Sequence, residues 1–204
     1  ILAKFLITMA IGLVTFLDAQ TINRYGTTTA NFLEIGIGSR ATSMGDAYVA
    51  VANDVSSIYW NPAGLSHVTR SSALFSIQPW LVDIDMMFAG GAFVVPSVGV
   101  IGLGITHLDY GEMDVTNLEY QDGTGERFGA SDVAATFTFS RKIVSWFSFG
   151  SSMKYISSKI WHSSASAFAV DLGVLVNTNF FSFTGKDKDG MNIGMSISNY
   201  GTRM

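Results

Sequence analysis

Three stretches of this sequence alternate apolar residues with small or polar ones at every second position. Val133, Ala135, Phe137 and Phe139 interleave with Ala134, Thr136, Thr138 and Ser140. Phe168, Val170, Leu172, Val174 and Val176 interleave with Ala169, Asp171, Gly173, Leu175 and Asn177. Met191, Ile193, Met195 and Ile197 interleave with Asn192, Gly194, Ser196 and Ser198. A period of two is the strand period, because successive side chains of a strand point to opposite faces. The pattern predicts antiparallel strands with one greasy face and one small or polar face, hence an all-β chain from residue 71 onward.

The pattern predicts seven strands, at residues 72–78, 85–95, 98–109, 131–140, 146–158, 165–176 and 191–198. A soluble sandwich shows the same alternation, so alternation alone does not separate it from a membrane barrel. Strand length favours the barrel. About 10 residues suit a tilted membrane strand, whereas soluble strands usually run to about 5–6. The connections also alternate in length, with a short turn at Pro96-Ser97, a long loop at 110–130 and a short RKIVS, as in outer-membrane barrels. Residues 177–190 break that order, being long where a short turn is due. Trp80, Trp146, Trp161, Tyr110 and Tyr155 fall near strand ends, where an interfacial aromatic girdle belongs.

Composition supports the same class. Hydrophobic residues make up 48% and charged residues 14%, yet after residue 20 no apolar run reaches the roughly 20 residues of a helical span. The 15 Phe, 7 Tyr and 4 Trp favour strands. A net charge of -4 with 12 scattered Lys and Arg gives no nucleic-acid footprint. The chain has no cysteine, which excludes a disulfide framework and thiolate chemistry.

Residues 1–19 read as a secretory signal peptide, with Lys4 as the positive region, an apolar run to Leu17 and Ala19 before the cut. The domain plan is then a signal peptide at 1–19, a periplasmic amino-terminal segment at 20–70, and barrel strands at 71–204. Single-chain bacterial barrels have an even strand number. Seven strands therefore read as the first half of a longer protein whose carboxy-terminal half is missing.

Residues 38–65 fit neither leader nor strand. They are rich in Gly, Ala and Ser and are broken by Asn61-Pro62, which suggests a compact plug. Pro62 fixes its own φ and pushes Asn61 towards an extended conformation. Asn61 can bond nearby backbone, and Gly64 is expected to permit a tight reversal. An ordinary structural turn leading into a barrel remains the other reading.

The segment resembles the amino-terminal signature of the PorV/PorQ family, within the wider FadL-like outer-membrane transporter group. The matching residues are Arg40-Ala41, Met44-Gly45-Asp46-Ala47, Asp54 and Tyr59-Trp60-Asn61-Pro62-Ala63-Gly64-Leu65. The resemblance continues through LDYGEM, GTGERFGASD, KYISSKIW, ASAFAVDLGVL and NIGMSISNYGTRM. It implies a transmembrane antiparallel β-barrel of FadL-like type, of about 14 strands when complete. It also implies that Asp54 and Tyr59 to Leu65 form a hatch inside that barrel.

The implied function is non-enzymatic, at the bacterial cell outer membrane. The protein would be a component of type IX protein secretion, binding exported cargo and secretion-system proteins and embedded in outer-membrane lipid. The alternative is a FadL-like channel for long-chain fatty acids or other hydrophobic small molecules; an enzyme or adhesin built on a barrel is a more distant class. No cofactor is implied. His67, His107 and His162 lack metal-pair spacing. Asp187-Lys188-Asp189-Gly190 shares a fragment of a calcium loop without its distal Glu. Neither a Gly-x-Ser-x-Gly elbow nor a P-loop or dinucleotide fingerprint occurs. Asp171 is read either as a lumen charge lining a pathway or as part of a satisfied interior network.

Overall fold

The computed structural model describes residues 30–81, 84–178, 180–182, 184 and 190–204. The leader expected at 1–19 and Asp187 to Asp189 of the calcium-loop fragment lie outside the described residues. From Ser72 the chain is one antiparallel meander whose strands pair in sequence order. The strands are β1 (Ser72–Pro79), β2 (Asp85–Val95), β3 (Gly99–Asp114), β4 (Arg127–Val144), β5 (Phe147–Ile160), β6 (Ser163–Asn177) and β7 (Asn192–Gly201). Before them come two single-turn helices, α1 (Ser39–Thr42) and α2 (Ser57–Trp60), and two 3-10 turns, Asn31–Glu34 and Pro62–His67. Among the described residues no helix is long and apolar enough to cross a membrane, which says nothing about crossing by strands.

The strands outrun the alternation that predicted them. β3 has 16 residues and β4 has 18, because ladder pairing needs backbone groups and continues where the side-chain pattern has turned polar. The loop expected at 110–130 shrinks to 115–126, and the connection from β5 to β6 is only Trp161-His162. The predicted alternation of connection lengths does not hold. Each end of the sheet carries one long connection, 115–126 at one end and 178–191 at the other. Three register shifts adjust the ladder, between Asp109 and Glu112, between Val170 and Leu172, and between Lys142 and Val144. The second lies opposite Asn199, whose φ of 59° is left-handed; asparagine tolerates that region better than most residues.

The two faces differ sharply. On one face the register aligns successive rows across the sheet: Ala89, Ile105, Ala135, Tyr155 and Phe168, then Gly91, Leu103, Phe137, Met153 and Val170, then Phe93, Ile101, Phe139, Ser151 and Leu172. Most large side chains of these rows are exposed, with Ile101 and Phe139 half-buried. Phe137 is 51% exposed, Met153 60% and Phe168 58%. A polar row, Asp85, Asp109, Ser131, Lys159 and Ser164, bounds them on one side. Arg141 closes the same face of β4 on the other.

The opposite face carries Gly102, Gly104, Thr136, Thr138, Ser140, Ser152 and Gly173, and the amino-terminal segment covers it. The apolar core lies between segment and sheet, where Phe32, Val55, Ile58 and Leu65 pack with Met86, Phe88, Val100 and Ala134. Tyr110, expected in an outward aromatic girdle, belongs to this covered face, where its hydroxyl donates to Asp132 Oδ2 at 2.7 Å. The exposed Trp80, Trp146 and Trp161 do lie at strand ends.

Candidate functional site: the amino-terminal segment on the covered face

The segment is folded first on itself. Asp54 Oδ1 accepts from the Ser56 backbone N–H at 2.9 Å, and Oδ2 accepts from the Tyr48 hydroxyl at 2.9 Å. Arg40 adds an Nη1–Oδ2 contact of 3.6 Å and lies 5.4 Å from the Tyr48 ring centroid. Tyr48 is wholly buried. Burial and then the neighbouring Asp54 carboxylate push its phenol pKa up.

Tyr59 and Trp60 tie α2 to the chain upstream. The Tyr59 hydroxyl sits 2.6 Å from the Leu33 carbonyl and 2.8 Å from that of Ile35, and its single hydrogen is shared between them. Trp60 Nε1 donates to the Ile37 carbonyl at 3.1 Å. The two rings meet edge to face at 5.1 Å. Burial, helped by the carboxylates of Asp46, Glu34 and Asp171, pushes the Tyr59 phenol pKa far up, so the hydroxyl stays a donor.

Asn61 then joins segment to sheet. It is fully buried, with the extended backbone expected before proline, φ −159° and ψ 106°. Its Nδ2 donates to the Val49 carbonyl at 2.9 Å and to the Val174 carbonyl of β6 at 3.2 Å, while Oδ1 accepts from the Ala63 N–H at 3.1 Å. Pro62 starts the 3-10 turn, a position where its missing N–H costs nothing. The Ala63 carbonyl accepts from Ser140 Oγ of β4 at 3.1 Å. Leu65, also fully buried, faces Gly102 of β3.

Gly64 differs from expectation. Its φ is not left-handed, so no special reversal requires it; a Cβ there would run into the Ala52 carbonyl. It is glycine for space.

The sheet supplies the matching bed. A Cβ on Gly150 would meet the Pro62–Ala63 peptide, and one on Gly173 would meet Asn61 Oδ1 and the Pro62 ring. The two glycines are directly paired across β5 and β6. The sequence shows small residues on this face, but only the register puts these two side by side under Asn61-Pro62-Ala63.

Asp171 lies in an interior network. It is 1% exposed and faces Lys154, 3% exposed, with Nζ 2.8 Å from Oδ2 in an ion pair that lacks hydrogen-bond alignment. Oδ1 accepts from the Asn199 N–H at 2.7 Å, and Lys154 Nζ donates to Asn199 Oδ1 at 2.8 Å. The bulge at Asn199 is what turns that residue inward. Lys154 Nζ also stands 5.9 Å from the Tyr59 ring centroid, which couples the ion pair to the segment. Sequence reasoning missed both partners.

No protein-family model matches this sequence, and no curated protein matches it. The fold defines the class: an antiparallel, seven-stranded all-β sheet with few helices, consistent with part of a β-barrel and compatible with an outer-membrane one.

Proposed function

We propose that this chain is part of a FadL-like outer-membrane β-barrel that serves protein export in the manner of the PorV/PorQ proteins it resembles. The observation that carries the membrane reading is the bare face of the sheet, where large apolar side chains such as Phe137, Met153 and Phe168 stand exposed, while the other face carries small and polar residues together with the apolar core. The rows from Val133 to Arg141 on β4 extend roughly 27 Å at about 3.4 Å per residue, comparable with the roughly 25 Å apolar band of outer-membrane barrels. Soluble monomers rarely expose contiguous apolar patches beyond a few hundred Å².

One feature supports a barrel of either kind, and a second supports export. The Asn61-Pro62-Ala63 region is held by buried contacts on a glycine bed, so it acts as a hatch that fills the barrel interior. The β3–β4 hairpin runs past the apolar band, where Arg127 bridges Glu112 at 2.9 Å and Asp114 at 3.0 Å. Its tip is built on Asn117 Oδ1, which accepts from the Tyr120 N–H at 2.7 Å. The tip presents Leu118, 95% exposed, and Tyr120 amid Glu119, Asp122 and Glu126. An apolar tip in acidic surroundings suits capture of a protein partner. In this reading cargo leaving a type IX translocon is received at the outer rim and passed to a surface attachment complex, with no chemistry performed on it.

Replacing residues 115–126 by a short turn in the full-length protein tests the reading. The variant should keep heat-modifiable migration in detergent and lose cargo attachment. Normal attachment would remove the export role. A FadL-like channel predicts instead that Asn61→Ala or hatch deletion changes fatty-acid uptake while cargo attachment continues.

A further inference from the structure

The amino-terminal segment and its bed contain two kinds of glycine. Gly64 sits against the Ala52 carbonyl, and Gly150 and Gly173 lie beneath Asn61-Pro62-Ala63, so each is glycine for space. At Gly38 and Gly45 an added Cβ would meet nothing within 4 Å, and their φ values of 82° and 63° are left-handed. These two are glycine for the turn. They bracket α1, and between them every residue except Ala41 is exposed.

Arg40 ties this exposed stretch to the rest of the segment. Its Nη1 donates to Asn53 Oδ1 at 2.8 Å and lies 3.6 Å from Asp54 Oδ2. The guanidinium carbon stands 5.4 Å from the Tyr48 ring centroid, within the reach of a cation–π contact.

The groups that receive Arg40 are held in place without it. The Tyr48 hydroxyl donates to Asp54 Oδ2 at 2.9 Å, and the Ser56 N–H donates to Oδ1 at 2.9 Å. Tyr48 also packs edge to face against Trp60 at 6.2 Å. An aromatic face, a carboxylate and an amide oxygen thus converge on one planar cation. Arg40 meets both oxygens with a single nitrogen, and its side chain stays 56% exposed.

We propose that Tyr48, Asn53 and Asp54 form a guanidinium site, filled in cis by Arg40, which an arginine of a partner polypeptide takes over by displacing it. The assignment to a polypeptide rests on the export reading above. The chemistry selects arginine over lysine, because a guanidinium is planar, stacks on an aromatic face and is more weakly hydrated than an ammonium. Exchange leaves the rest of the segment in place. Arg40 leaves by rotation of its own exposed side chain, the two left-handed glycines let α1 follow, and Asn61, Pro62 and Leu65 stay buried on the sheet.

The test titrates N-acetyl-arginine amide into the detergent-folded full-length protein and follows the Ser56 N–H by NMR. Wild-type protein carries a tethered competitor at millimolar or higher effective concentration, so Arg40→Ala should bind the probe on the order of tenfold more tightly. Arg40→Gln, which keeps most of the stem, should do the same and guards against a collapsed site. Asn53→Ala, added to Arg40→Ala, removes one acceptor without touching the Tyr48–Asp54 bond and should weaken binding severalfold. N-acetyl-lysine amide at equal ionic strength should bind less tightly than the arginine probe. In cells, Asn53→Ala should lower cargo attachment and Arg40→Ala should raise it.

If both Arg40 variants migrate heat-modifiably and bind no more probe than wild type, the site is overturned and the export reading stands. Equal binding of the two probes marks a general charge effect and overturns it too. Attachment that is lost in Arg40→Ala, as with a clasp that merely holds the segment, or that ignores Asn53→Ala, overturns the partner's role. Selective probe binding by a protein that attaches no cargo upholds the guanidinium site and overturns the export reading instead.

Discussion

β4 carries two opposite chemistries on its two faces. Phe137 stands bare on one side with Phe139 half-buried beside it, while Thr136, Thr138 and Ser140 stand on the other beneath a folded segment. A sheet gains about 1.5–3 kcal/mol for each large apolar residue it buries, and the covered face does bury Met86, Phe88 and Val100, yet the other face leaves Phe137, Met153 and Phe168 out. Beneath Asn61-Pro62-Ala63 the covered face is built for close approach. Glycines and small hydroxyl residues let backbone lie on backbone, and buried polar groups are matched by Asn61, Asn199 and Lys154. The contrast is between a face matched to one folded segment and a face whose large apolar side chains stand exposed among the described residues.

The comparison breaks most sharply at the buried ion pair. Asp171→Asn leaves Lys154 charged and under-compensated beneath the segment, and should cost about 3–5 kcal/mol. Replacing both, with Lys154→Met and Asp171→Leu, should restore most of that loss. Denaturant unfolding of the detergent-folded full chain reads both effects; equal losses from the single and double variants would contradict a coupled pair.

On the bare face the size of the effect of a charge substitution distinguishes lipid from water. Phe137→Lys should cost about 2–4 kcal/mol for the protein folded in vesicles, the usual penalty near a bilayer midplane. Were that face in water, the change would stay within about 0.5 kcal/mol.

A single added methyl group compares the faces directly. Gly173→Ala pushes a Cβ into Asn61 and the Pro62 ring and should cost about 1–3 kcal/mol, opening residues 38–65 to protease. At Gly91, on the bare face, an added Cβ meets its nearest atom at 3.4 Å, so Gly91→Ala should leave both stability and cleavage unchanged.

The smallest effect concerns His67, whose Nε2 lies 3.4 Å from Ser148 Oγ. Burial, then the Lys142 charge, holds its pKa below the ordinary 6.5. The unfolded chain therefore binds the proton more readily than the folded one. Stability is full above about pH 6.5 and falls as pH drops towards the lowered folded value. His67→Gln should flatten the difference between unfolding midpoints at neutral and mildly acidic pH.

The covered face also sets how far sequence can reach. Alternation around Phe137 and Leu172 reveals strands because one residue in two is apolar, which is a local signal. The ends of β3 and β4 leave no such mark, since their polar hairpin is held by backbone pairing. Asp171 was visible as a charge on a small-residue face, but Lys154 belongs to another strand and Asn199 reaches the pair through a bulge. Only the register brings the three together. Asn61-Pro62 announced a break in the chain; that Gly150 and Gly173 would lie beneath it depended on pairing between β5 and β6.

The central claim is that the two faces of β4 meet different media. The chain has no cysteine, so single cysteines can be introduced from Val133 to Ser140 and spin-labelled in vesicle-reconstituted full-length protein. Relaxation by lipid-soluble oxygen should be high at Val133, Ala135, Phe137 and Phe139, and low for a water-soluble nickel chelate. At Ala134, Thr136, Thr138 and Ser140 both relaxants should be excluded by the packed segment. If the nickel chelate reaches Phe137 and Phe139 as freely as it reaches the loop at Leu118, the bare face is in water and the membrane account is wrong.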